Sequence, residues 1–596
     1  MTQEIIKWNL SDYYSDINDP QIEKDIQNIE KSAELFYQNV KGNLGDPSLT
    51  PIKLLEWYKE YEEISEKVFY LDTYSTLLYR INTLDDDVKS FYAKIDEFKV
   101  KIQEKLLFFD LELNQISDSK FEELINASDL KNYSHALKFN RIKKPHQLSE
   151  KEEQIILMKD ITGTNGFLKL YSELKSSFLF DFEVEGEMKK LTEAELFSYM
   201  YQENKDLRYR ALQTMMSEYK NNEMIFTHIL NNILKDWDLE CKKKNYSQPI
   251  SRRNVQNEVS DESVEILGKV TTESYHIVEK YYNLKKKLLN LPELHMSDIY
   301  APVGQITRKY SYQEALELIK GTVAKFYPEL KNIVEKLVEL GHIDATPRKG
   351  KNRGAFCAHG KQKNYGFVFV NYVDTIDSLR ALAHELGHAF HAYYIQRDQN
   401  FINIDISLVV AEIASVFNEI LTFDYLMSTD LSREEKISLL SNFIESKFGT
   451  SHRQNAFYRF EKTIHALIEK KLPSTEEIKQ AFVNEMELMF GNSITKIKEE
   501  YENYVFVVPH FLSVPFYVYA YNMSNLLVIS IYQLYLEEKE KFVPKYLKLL
   551  SIGSSLSPEE MLSEIGINLD DPSFWEKGIK YLSDKIDELE KLVKEL

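Results

Sequence analysis

A chain of 596 residues, 43% of them apolar, buries a large core and has room for more than one domain. Its formal net charge of -20 gives a nucleic-acid role no electrostatic support, and two cysteines, Cys241 and Cys357, are too few for a disulfide framework and suggest a reducing compartment. The opening MTQEIIKWNLSD lacks the basic start and apolar core of a signal peptide, and the longest apolar patch, 526–532, is far too short to span a bilayer; the expected location is cytoplasmic, with no membrane partner.

Most of the chain reads as helix. Glycine and proline are scarce (19 and 15), while Leu, Ile, Glu and Lys recur at helical spacing. The pattern predicts helices at 22–40, 51–78, 84–113, 193–220 and 378–394, and from 570 to the end. Strand signals are few: 178–184 (FLFDFEV) and 367–371 (FVFVN). A break at 185–192 suggests an N-terminal helical lobe, 1–190, followed by a catalytic domain, 191–596. No repeat and no Gly/Ser-rich linker marks the junction, so the lobes are expected to pack tightly.

The strand signal at 367–371 runs up to the most informative stretch of the chain, His384-Glu385-Leu386-Gly387-His388. On a helix, positions i and i+4 point the same way, so His384 and His388 offer two imidazoles to one small cation while Glu385 hangs beside it. This is the H-E-x-x-H arrangement of a zinc hydrolase, with one Zn2+ expected per chain. The competing structural reading is a chance match on a solvated helix. A catalytic zinc wants a third protein ligand and one open position for water. Segment 408–419 is apolar nearly all round, yet it carries Glu412, a charge that needs a partner. Glu412 is therefore the candidate third ligand, with a buried ion pair as the alternative. Glu419, two turns later on the same face, is either a group that orients a ligand imidazole or a solvated helix charge. His391 shares the face of His388 and reads as a supporting or substrate-facing group. In this scheme Glu385 takes the proton of the attacking water and delivers it to the leaving amine.

The run Asn371-Tyr372, Leu382 to His391 and Glu412 to Glu419 resembles the M3 family of zinc metallopeptidases, and within it the oligoendopeptidase F type. Trp8 to Asp12, Leu207 to Ala211, Gly350 to Cys357, Arg453-Gln454 with Phe460-Glu461, and Gly553 to Trp575 resemble further family landmarks, so the likeness runs from end to end. Asp374 and Ile376 depart from the small residues expected there. The resemblance implies a mostly α, zincin-like fold: two helical lobes around a deep substrate channel, with a small β-sheet beside the active-site helix. It also implies that a loop histidine and helix tyrosines within 509–521 reach the substrate carbonyl. His510, Tyr521 and Tyr517 are the candidates. Pro515 is placed to start a helix on which Tyr517 and Tyr521 share a face and Tyr519 points elsewhere. The structural alternative is a Tyr-rich buried stripe.

Peptidases of this kind pair a free sheet edge with the substrate backbone, so 367–371 is the expected edge. Asn371, Gly354 in the neighbouring loop, Tyr519 and His391 are the candidate substrate-binding residues, and His359 reads as a surface histidine. The expected activity is zinc-dependent endopeptidase cleavage of oligopeptides. One alternative is a dipeptidyl- or carboxypeptidase, with Arg453, Lys361 or Lys363 capturing a terminal carboxylate. The other is a peptide-binding protein with an inactive site. Oligomeric state is left open.

Overall fold

A computed structural model describes residues 5–304, 306, 308–361 and 365–594. It is mostly helical, with one two-stranded hairpin and one three-stranded sheet among the described residues. The chain divides into two compact units, each assembled from three segments: Met1–Lys144, Arg308–Ser428 and Leu534–Ile567 form one; Pro145–Thr307, Thr429–Gln533 and Asn568–Leu596 form the other. Neither unit ends at residue 190. The stretch 185–192, read from sequence as a break, is largely the turn and return strand of the hairpin, in which Phe180–Val184 pairs antiparallel with Glu187–Leu191. Glu185 and Gly186 take φ of 56° and 84°, as a two-residue hairpin turn of this hand requires.

In the first unit, the helices Pro20–Val40, Pro51–Ile81 and Asp86–Leu113 start at the side-chain caps Asp19, Thr50 and Asp85. They bury Ile29, Phe36, Leu54, Leu71, Ile95 and Phe109 in one core that continues to Trp8, Phe367 and Phe369. The Trp8 indole donates to the carbonyls of His342 (3.1 Å) and Val368 (2.9 Å), fastening the N-terminal segment to the sheet.

That sheet has the order Ile343–Asp344, Phe367–Phe369, Phe356–Ala358, with the first pair parallel and the second antiparallel. The expected free edge at 367–371 is therefore corrected: Phe367–Phe369 is the central strand, and all three residues are buried. FVF is apolar on both faces, which suits a strand covered on both sides rather than an exposed edge. The outer antiparallel strand is Phe356–Ala358, half-buried and packed against the helix that carries the histidines. Asp344, fully buried, is neutralised by Lys351 at 2.8 Å and by both terminal nitrogens of Arg348 at 2.7 and 2.8 Å. Lys351 also donates to the Val370 carbonyl, which ties the preceding loop to the sheet.

The histidine-bearing helix, Ile376–Asp398, is capped by Thr375 and packs on the return helix Ile413–Met427. Gly387 lies where the two helices approach closely. A Cβ there would fall 2.5 Å from both the Ala414 carbonyl oxygen and Ser415 Cα, a separation that only glycine permits.

In the second unit, the predicted helix 193–220 is interrupted. Glu193–Ser198 ends in the 3-10 turn Tyr199–Tyr201, and a new helix, Lys205–Asn221, begins. Asn204 supplies the reason: its side chain accepts from the Asp206 and Leu207 amides and caps the second helix.

Substitution Gly387→Ala is predicted to cost about 1–3 kcal/mol of stability. The obstructing atoms belong to backbone and cannot rotate away. A urea midpoint equal to that of the parent protein would show that the two helices do not approach this closely.

Candidate metal centre

Three donors converge in the first unit. His384 Nε2 lies 3.3 Å and His388 Nε2 3.5 Å from the same oxygen, Glu412 Oε2, and one ligand atom from each residue lies within 4.8 Å of the others. Donor atoms held at 2.0–2.2 Å around one tetrahedral ion sit about 3.3–3.5 Å apart, so this set fits zinc. Among the described residues it is the single His/Cys/Asp/Glu group with such geometry. The three side chains are 28%, 25% and 36% exposed, which leaves one side open to water or substrate.

Local structure explains how Glu412 arrives. The predicted return helix is broken at this residue: Leu408–Ala411 ends, Glu412 takes φ -89° and ψ 2°, and Ile413–Met427 begins. Ser415 donates its hydroxyl to Glu412 Oε2. Asn418 donates to the Ala383 carbonyl at 2.6 Å, one residue before the first histidine. With Gly387 these contacts fix the two helices in register.

Glu419 is buried. Its Oε2 lies 3.7 Å from His384 Nδ1 and its Oε1 accepts from Arg380 at 2.7 Å. A carboxylate behind a ligand imidazole favours the tautomer that leaves Nε2 free to bind metal. Sequence reasoning missed Arg380, although its position four residues before His384, on the same helical face, is a usable signal. It also missed Ser415 and the packing role of Gly387.

The field of the site favours a cation. Burial opposes charge on His384, but the carboxylates of Glu412 and Glu419 outweigh it and raise its pKa to about 10. Burial alone would raise Glu412, yet the two histidines and Ser415 hold it down at about 2. His388 is pushed down to about 4 by burial and by the neighbouring imidazoles, so it stays neutral and free to ligate. Glu385 is buried beside the donors, and burial with the nearby Glu412 charge lifts it to about 7. Among the described residues its Oε2 has no hydrogen-bond partner.

Other predicted residues fall as follows. His391, read as a supporting or substrate-facing group, is buried, with its pKa driven to about 3 by burial. His359, read as a surface histidine, is half-buried and close enough to His388 and His391 to disfavour their protonation. Asn371 donates to the carbonyls of Asn352 (2.9 Å) and Gly354 (3.0 Å), fixing the loop that leads into the outer strand; Gly354 itself is exposed, with φ 89°. Cys357, on that strand, has its thiol pushed up by burial and then by Glu385, so it stays protonated. Lys361 lies over the Tyr13 ring, and Lys363 is outside the described residues.

The second unit holds the predicted histidine and tyrosines. His510 Nε2 and the Tyr521 hydroxyl are 3.4 Å apart, and the Tyr517 and Tyr521 rings meet edge to face at 5.0 Å. All three side chains are half-exposed. Tyr519 is different: it is buried, and its hydroxyl accepts from Asn257 at 2.9 Å. Its predicted place on the substrate face is corrected to an interior one. Pro515 does not start the helix, which begins at Val518; it occupies a turn. Arg453 donates to the Tyr300 hydroxyl at 2.9 Å.

Comparison with known proteins gives the family. Residues 198–581 match the model of peptidase family M3, and residues 112–180 match that of Oligopeptidase F. An oligoendopeptidase F homolog of Lactococcus lactis subsp. lactis is 25% identical over 593 residues, covering 99% of this chain and 98% of its own. A solved structure from Chlamydophila abortus has a TM-score of 0.87 at 24% identity and covers 98% of each chain. Oligoendopeptidase-F from Enterococcus faecium has a TM-score of 0.71 at 20% identity, covering 97% of this chain and 99% of its own. The chain belongs to peptidase family M3, of the oligoendopeptidase F type.

Proposed function

We propose that the protein is a zinc-dependent endopeptidase that hydrolyses internal peptide bonds of short oligopeptides. The observation that carries this reading is the convergence of His384 and His388 Nε2 on one oxygen of Glu412, with Glu385 buried beside them.

His384, His388 and Glu412 would hold one zinc ion per chain. Zinc bound there supplies Lewis acidity, which makes a water nucleophilic near neutral pH and polarises the scissile carbonyl. Glu385 accepts the proton of the attacking water as oxygen bonds to the carbonyl carbon. It passes that proton to the amide nitrogen as the C–N bond breaks, and the second proton of the water leaves the new carboxyl group for the amine, which yields a carboxylate and an ammonium group. Glu419, held by Arg380, keeps His384 oriented throughout. Tyr521, aided by His510 and Tyr517, is assigned to the oxygen that gains charge at the tetrahedral stage. The outer strand Phe356–Ala358, preceded by Gly354, replaces 367–371 as the segment offered to the substrate backbone.

The exopeptidase reading has no comparable support, since Arg453 is engaged by Tyr300 and Lys361 by an aromatic face. Intact donors argue against an inactive binding protein. A cytoplasmic setting is supported by the low cysteine count of two; no helix among the described residues is long and apolar enough to cross a membrane.

The purified protein is expected to carry about one zinc per chain. Glu385→Gln is expected to keep that metal and lose about 100-fold or more in kcat, whereas His388→Ala should lose metal and activity together. Metal lost from Glu385→Gln but retained in Glu412→Gln would overturn the ligand assignment.

Blocked peptides of about five to twenty residues should be cut internally, as extended strands that can pair with one sheet edge. Mass mapping that finds only terminal di- or single-residue release would favour the exopeptidase reading.

A further inference from the structure

The segment between His510 and Tyr521 contains a backbone outlier. Val514-Pro515-Phe516-Tyr517 closes as a turn, with the Tyr517 amide donating to the Val514 carbonyl at 3.0 Å. Pro515 holds the second position. Phe516 holds the third with φ 58°. A positive φ after proline is the signature of a type II turn, and that position is ordinarily glycine or asparagine. Phenylalanine there is strained, at about 1–3 kcal/mol, and persists only where its surroundings enforce it.

The surroundings supply three fastenings. The Phe516 amide donates to Glu461 Oε1 at 2.7 Å, and Glu461 is buried to 1% exposure. Arg253 Nε donates to the Pro515 carbonyl at 3.1 Å from the other side. The buried His465 ring packs on the Phe516 ring with centroids 4.4 Å apart. Glu461 and His465 are four residues apart on the helix His452–Ile468, so one helical face holds both the backbone and the side chain of Phe516. A carboxyl group is costly in this interior: burial pushes its pKa up to about 8, and among the described residues Oε2 has no hydrogen-bond partner. A fold that needed only to fill this space would place an apolar side chain there.

We infer that Glu461 is a positioning residue: through the strained Pro515–Phe516 turn it fixes the short helix of His510 against Tyr517 and Tyr521, and so sets the 3.4 Å apposition of His510 and Tyr521. The inference rests on the proposed role of Tyr521. Slackening the turn lets Phe516 relax to negative φ, which swings Tyr517 and the first turn of the following helix away from His510. The effect falls on the charged oxygen of the tetrahedral stage and not on substrate binding.

A double-mutant cycle on the zinc-loaded enzyme tests this, with kcat and KM measured on one internally cleaved peptide. Glu461→Ala is expected to lower kcat about tenfold or more with KM within about twofold, at full zinc content. Glu461→Gln, which keeps an oxygen acceptor for the Phe516 amide, should restore most of the loss. Phe516→Gly placed in the Glu461→Ala protein should also recover activity, because glycine adopts the positive φ unaided. In the Tyr521→Phe background, itself expected to lose about a hundredfold in kcat, Glu461→Ala should add little. If Tyr521→Phe is damaging and Glu461→Ala multiplies that loss in full, this inference is wrong while the proposed chemistry stands. If Tyr521→Phe is harmless, the role of Tyr521 and the inference fall together. Should Glu461→Ala not fold, Arg253→Ala carries the same cycle from the opposite side of the turn, with the same outcomes deciding.

Discussion

The proposed metal site depends on one close approach, that of Gly387 to Ala414 and Ser415. The H-E-x-x-H pair can offer only two ligands from one helix, so the third must come from a second helix brought within a few ångströms. A side chain at 387 would hold the helices apart and withdraw Glu412 from the histidines. The break at Glu412 completes the arrangement, because a residue at a helix junction can turn its side chain inward while its neighbours remain packed. Asn418 and Ser415 then lock the register from the same helix.

Charge gives that geometry its meaning. Glu385, Glu412 and Glu419 gather in a partly dry site, and Arg380 compensates only one of them directly. Carboxylates so placed repel one another unless a positive charge sits among them. The carboxylates of Glu412 and Glu419 draw positive charge toward His384. The same field would hold a divalent cation, which also relieves the neighbouring carboxylates. The site offers imidazole nitrogen and carboxylate oxygen, the donors that zinc accepts.

Much of this was legible in sequence because it is local. The i, i+4 histidines need only a helix, and Glu412 announces itself as a charge in an apolar segment. Helices whose caps and periodicity agree, such as Pro20–Val40 and Pro51–Ile81, were found within a few residues. What was illegible depends on distant partners. Whether FVF is an edge or a centre is decided by strands only two and three residues long, too short to leave a pattern. Pro515 suits both a helix start and the second position of a turn, and the positive φ of Phe516 is imposed by Glu461 and Arg253, far away in the chain. Asn204 inside a helical pattern was a readable cap signal that periodicity overrode. The compact units are interleaved along the chain, and linear composition carries no trace of that.

The central claim is that His384, His388 and Glu412 form one zinc site. Anomalous diffraction at the zinc edge from the purified protein tests it most directly. The account predicts a single strong peak per chain, with one nitrogen from each histidine and one Glu412 oxygen at about 2.0–2.2 Å. A zinc-replete crystal with no peak there, or with the ion bound by Glu385 or Glu419 in place of Glu412, would contradict it.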